Sequence, residues 1–217
     1  MRSLAFFSMV LVSGSALADG TWNVVAEKDG IRVLAREVAG RDLPTFRGEG
    51  TIDANIYDVM AVISDISRHK EWVERCSDAR LLRKENERTY VVYQRTDAPW
   101  PVADRDAVVR SVASVDLKRM EVTIRFSAIR TPLMGRVDGV VRMENLRGEY
   151  RLRAEGRART RIEYEVDADP GGRLPRWIAR LATKRLPIYT IRNLRAQVAR
   201  TRGWYQGRVQ RWVAGNY

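Results

Sequence analysis

From about residue 80 onward, apolar and polar side chains alternate with a period of two. The alternation is cleanest at 160–167, where Thr160, Ile162, Tyr164 and Val166 fall on one face and Arg161, Glu163, Glu165 and Asp167 on the other. The same rhythm marks 90–95, 107–115, 121–127, 137–144 and 150–155, with turns between them, and predicts a meander of antiparallel strands. Upstream, 31–36 follows an Asp29-Gly30 turn and reads as a strand, and 46–52 as its antiparallel neighbour. At 55–63 the spacing becomes helical, with Asp53 or Asn55 available as a cap, and 67–73, which contains Trp72, reads as a shorter helical turn.

Helical spacing returns in the last stretch, 170–217. After the Gly171-Gly172 turn, Pro175 suits a first helical turn, and Leu174, Trp177, Ile178, Leu181, Ile188, Ile191, Leu194 and Val198 recur on one stripe. Pro187 lacks a backbone donor and crowds the preceding turn, so a kink or break is expected at 184–186. One face of the predicted sheet is charged and meets water. The other is apolar and needs a cover, and the C-terminal helix is the long element available to it. The expected fold is therefore α+β: a helix-grip arrangement in which a curved antiparallel sheet wraps a long C-terminal helix and encloses a hydrophobic cavity.

Charge sharpens this picture. The formal net charge is +12, and 170–217 carries eleven Lys/Arg and no Asp or Glu, so with Arg2 it accounts for the whole excess. Such a helix either solvates its arginines or offers an apolar underside to a ligand and a basic outer face to an anionic surface.

Residues 1–18 do not read as part of the fold. Arg2, the apolar run 4–12 and Ala16-Leu17-Ala18 before Asp19 form the pattern of a cleaved signal peptide, which predicts a periplasmic protein with one domain at 19–217. Cys76 is the only cysteine, so no internal disulfide is expected.

Catalytic signatures are missing. His69 is the only histidine, is expected at the surface or at a headgroup edge, and has too few companions for a zinc site. No nucleophile elbow, phosphate-cradling loop or Cys-x-x-Cys occurs, and no carboxylate pair suggests acid–base chemistry, so neither catalytic residues, a metal nor a cofactor is expected.

Two motifs carry a family resemblance. The first is Val91-Val92-Tyr93, then Pro99-Trp100-Pro101, then Arg105-Asp106-Ala107-Val108; the second is Pro170-Gly171-Gly172 followed by Pro175, Trp177, Ala182, Lys184 and Pro187. With Trp72 upstream, the chain resembles a START (StAR-related lipid-transfer) domain, and most closely the phosphatidylcholine-transfer branch. The resemblance implies a tunnel for one lipid, closed by the C-terminal helix and neighbouring loops. Candidates for the cavity or its lid are Trp72, Val92, Gln94, Trp100, Arg105 and Ala107, together with Phe126, Trp177, Leu181 and Ile188. Candidates for membrane contact are Arg176, Arg180, Lys184, Arg185 and Arg195.

The more conservative readings are an Arg105–Asp106 ion pair fixing the strand start, and simple core packing for Trp100 and Trp177. Choline-binding members carry an aromatic residue directly after the Val-Val-Tyr and another after the Arg-Asp, which cage the ammonium group. Here Gln94 and Ala107 occupy those positions: Gln94 can hydrogen-bond a polar headgroup and Ala107 widens the pocket. Val92 and Ser111 stand where a Glu–Arg pair of the sterol-binding kind would be sought, so the lipid class is open.

The expected function is binding and transfer of a lipid by a monomer that meets anionic membranes. A cyclase- or isomerase-like enzyme is the alternative, since wider relatives of this fold cyclise polyketides. Nucleic-acid binding through the arginine-rich helix fits export and the apolar stripe poorly.

Overall fold

The computed structural model describes residues 20–41, 43–172 and 174–214, with the backbone alone for Arg176, Leu181 and Ala182. The signal-peptide expectation for 1–18 lies outside the described residues. In chain order the elements are β1 (Asn23–Lys28), β2 (Ile31–Arg36), β3 (Thr45–Ile52), α1 (Ile56–Ser64), a 3-10 helix (Ile66–Glu71), β4 (Cys76–Asn86), β5 (Thr89–Thr96), β6 (Arg105–Asp116), β7 (Glu121–Ala128), β8 (Val141–Arg142), β9 (Asn145–Ala154), β10 (Thr160–Asp169), α2 (Arg176–Arg200) and α3 (Gln206–Val213). The strands form one sheet in the order β1-β2-β3-β10-β9-β7-β6-β5-β4, with β8 paired parallel to β6 and all other pairs antiparallel. The register shifts once between β1 and β2 and three times between β4 and β5, so both outermost strands are bulged.

The inner face of this sheet grips α2, which gives the α+β helix-grip architecture expected from the sequence. α2 packs chiefly on β2, β3, β10 and α1. Ile162, Leu152, Ile191, Leu194 and Val198 are almost fully excluded from water there. The outer face carries ion pairs between neighbouring strands, among them Arg47–Glu165 at 2.7 Å, Arg147–Asp167 at 2.9 Å and Arg125–Glu149 at 3.1 Å. α1 is capped by Asn55, whose Oδ1 accepts from the Asp58 amide at 2.9 Å.

Four elements differ from expectation. α2 passes through Pro187 without a break, because Gly48 on β3 leaves room for the ring and the packed helix tolerates one lost hydrogen bond. The stretch 137–144 contributes only the two residues of β8 to the sheet. The chain from Ile129 instead folds over the outer face, where Ile129, Leu133 and Met134 cover Val91, Tyr93 and Val108. β1 and β4 are additional strands, largely exposed along their length.

Candidate ligand-binding interior

Strand parity decides which side chains can meet a ligand. In β5 and β6, Val92, Gln94, Ala107 and Val109 point inward with Ser111, while Val91, Tyr93, Asp106 and Val108 point outward. The inner face carries two apolar clusters. One joins α1, α2 and the β2–β3–β10 side; the other gathers Ile66, Val92, Ala107 and Val109 at the β5–β6 side. Phe126 and Leu146 pack against both. They are only half-buried, as are Met143 and Tyr150. An apolar cavity of about 50 Å³ opens further along, between Met60, Ile63, Tyr90, Ile124 and Trp212.

Aromatic rings form the middle of this wall. Tyr150 and Tyr164 lie 4.7 Å apart between centroids, with Phe126 at 6.0 and 6.3 Å from them. Burial pushes both tyrosine phenols well above their ordinary range. Thr190 of α2 opposes the upward shift of Tyr164, whereas the Tyr150 hydroxyl has no hydrogen-bond partner among the described residues.

Gln94 and His69 make the polar contact of the interior. The Gln94 Nε2 lies 3.1 Å from His69 Nδ1, and His69 Nε2 lies 2.9 Å from the Ile63 carbonyl. His69 is therefore buried, not at the surface as expected, because the 3-10 helix turns it onto β5. Burial lowers its pKa, with the Ile63 carbonyl and Asp65 opposing, so the ring is neutral. Trp72 is a core residue packed edge-on against that ring at 5.3 Å.

Arg105 and Asp106 do not pair. Adjacent residues of a strand face opposite ways, and each takes a different partner. Arg105 donates from Nε to Pro170 O at 3.3 Å, from Nη2 to Gly171 O at 3.2 Å and from Nη1 to Ala103 O. It thus ties the start of β6 to the linker that leads into α2. Burial lowers its pKa while Asp104 pushes the other way. Asp106 binds Arg142 through Nε at 2.7 Å and Nη2 at 3.0 Å, and Arg142 also donates to Gly135 O at 2.8 Å.

The remaining candidates separate clearly. Ile188 is partly buried against the main cluster. Trp100 is 93% exposed and Trp177 70% exposed, so neither packs in the core, and Trp100 does not line the interior. Both sit at the end of the sheet where β6 starts and α2 begins. The side chains of Leu181 and Arg176 lie outside the described residues. Arg180 pairs with Glu37 at 2.6 Å. Arg195 is held by the carbonyls of Thr51 and Asp29, both at 2.7 Å, and so is a structural clamp. Lys184 and Arg185 have no ion-pair partner among the described residues.

Chemically, this interior is apolar, with a few polar contacts and one charged group, Arg105, at its edge. Among the described residues no group of His, Cys, Asp and Glu could hold a metal ion. Burial pushes the Cys76 thiol up to about 11, which leaves it protonated.

A family model for the START domain matches residues 7–202. The chain belongs to the START domain family. An uncharacterized protein of Pseudomonas aeruginosa is 29% identical to this START chain over 185 residues, 85% of the chain and 90% of that protein. The phosphatidylcholine transfer protein of Mus musculus is more distant, 23% identical over 172 residues and covering 78% of this chain and 79% of its own. The crystal structure of a STAR-related lipid transfer protein from Xanthomonas axonopodis superposes with a TM-score of 0.75 at 28% identity, over 82% of this START chain and 98% of that one.

The sequence pointed to Gln94 and Ala107 through the motif, and their strand parity brings both inward. It missed His69 as the partner of Gln94 and Tyr150 as an unpaired hydroxyl. The inward parity of Tyr150 with Tyr164 was the available signal for the second; nothing local signalled the first.

Proposed function

We propose that this START domain carries one hydrophobic ligand between the sheet and α2 and exchanges it at an anionic membrane. The observation that carries the reading is the division of the inner face into two apolar clusters that meet at half-buried Phe126 and Leu146. Each methylene taken out of water there stabilises the complex by about 0.8 kcal/mol.

Docking uses the end where α2 begins. Trp100 and Trp177 are large, exposed aromatics suited to the lipid–water interface. Along α2, Trp177, Arg180 and Lys184 share the outward stripe at helical spacing, with Arg185 beside it. Attraction of such cations to an anionic leaflet is worth about 1 kcal/mol each near the surface. The reading includes export to the periplasm, removal of residues 1–18, and action as a monomer that needs no cofactor. Among the described residues no helix is long and apolar enough to cross a membrane, so contact on this reading is peripheral.

The test is co-sedimentation with vesicles, paired with transfer of pyrene-dodecanol from donor to acceptor vesicles. The wild-type chain is expected to bind anionic vesicles at low salt and to accelerate transfer. Equal binding to neutral and anionic vesicles would remove the electrostatic part, and no acceleration would remove carriage itself.

A further inference from the structure

The Gln94–His69 contact does more than fill space. A carbonyl oxygen can only accept, so the 2.9 Å contact with Ile63 O puts the ring proton on His69 Nε2. Nδ1 is then the acceptor, and the Gln94 amide nitrogen donates to it at 3.1 Å. This fixes which way round the amide stands. One amide N–H and both lone pairs of Oε1 are left over, with no partner among the described residues.

The cross-strand neighbours of Gln94 are short. Its cross-strand partners are Ala79 on β4 and Ala107 on β6, the two smallest side chains that still have a Cβ. Gln94 itself remains half-buried, on the same face as the apolar Val92 and Val109. A polar group thus stands between two short residues in an otherwise apolar wall.

Charge limits what can sit there. His69 is neutral, and Arg105, two residues along from Ala107 on the same face, is engaged with three backbone carbonyls. An ammonium group would enter without a counter-charge, which is strongly disfavoured in such surroundings, and Arg105 offers a phosphate only the N–H groups that its three carbonyl contacts leave over. A hydroxyl both donates and accepts. It matches the free Oε1 and N–H of Gln94.

We propose that Gln94, oriented by His69, anchors the single uncharged hydroxyl of a long-chain or polycyclic hydrophobic ligand. This rests on the carrier reading above and adds the ligand class to it.

The experiment uses three pyrene-dodecyl probes that differ only in their end group: alcohol, methyl ether and trimethylammonium. A phosphate-ended probe serves as a fourth. Binding is read by fluorescence titration of wild type, Gln94→Leu and Gln94→Met, the last kept in case the shorter residue perturbs folding. The alcohol is expected to bind wild type roughly five- to tenfold tighter than the ether, a ratio that collapses toward one in either variant, as the loss of one neutral hydrogen bond implies. The two charged probes are expected to bind more weakly than the alcohol in all three proteins. If all probes bind wild type alike, the anchor is refuted while carriage stands. Tighter binding of the phosphate probe refutes it in favour of an anion site at Arg105. No binding of any probe refutes carriage and the anchor together.

Discussion

Gly48 on β3 and Pro187 in α2 touch so closely that a Cβ on Gly48 would lie 2.6 Å from the Pro187 Cβ and 3.1 Å from Ile191 Cδ1. This contact lets the turn of α2 that carries the proline pack directly on the sheet. Gly48→Ala is expected to destabilise the fold by about 1–3 kcal/mol through overpacking, read as a lower urea midpoint. Gly207 is the contrast, since a Cβ there in α3 would meet nothing within 4 Å. Gly207→Ala is expected to add about 0.5–1 kcal/mol, because only the helix preference of alanine changes.

The Asp106–Arg142 pair behaves differently from the surface ladder. Its side chains are 1% and 11% exposed, and it holds down the chain that covers Tyr93. Asp106→Asn leaves a buried guanidinium without its counter-ion and should cost roughly 3–5 kcal/mol in chemical denaturation. Asp106→Leu combined with Arg142→Met removes both charges and is expected to cost less than the single change. A double variant as unstable as the single one would show that the shape of the pair matters more than its charge.

His69 makes stability depend on pH. Its folded pKa lies below the ordinary 6.5, so in the interval between them the unfolded chain binds more protons than the folded one. Stability from this site is complete above the unfolded value and is lost as the pH falls below it. Comparing urea midpoints at about pH 7.5 and pH 5, wild type should lose more than His69→Gln, since carboxylates titrate in both backgrounds. Equal losses would mean that the imidazole is hydrated.

Arg105 should govern the linker into α2. Lysine keeps the charge but cannot hold three carbonyls in a fork. Arg105→Lys is therefore expected to speed amide exchange at 171–179 by roughly tenfold or more, as the loss of charge-assisted hydrogen bonds implies, with little change at β9 and β10. Unchanged exchange there would mean that other contacts hold the linker.

Much of the fold was legible because burial imposed a period. The strand around 160–167 alternates since one face meets α2 and the other the charged outer surface, and β6 alternates beyond Val109 since only its inner face joins the apolar interior. β4 did not, because as an edge strand it is wetted on both sides and its Arg83, Lys84 and Glu85 follow no rhythm. The apolar residues near 137–144 read as a strand but belong to a cover over the outer face. Arg105–Asp106 read as a pair, although the period of two already sets neighbours on opposite faces. The burial of His69 depends on Gln94, 25 residues away, and no local pattern among Arg68, Lys70 and Glu71 announces it.

The bulges at the two ends of the sheet have a consequence for how copies of the chain meet. A strand whose register slips presents its free amides and carbonyls unevenly, and β4 adds charged side chains to that irregular rim. A second copy finds no straight row of donors and acceptors to zip against. The sheet can therefore keep two open ends while it packs on its helix, without inviting edge-to-edge growth into fibres.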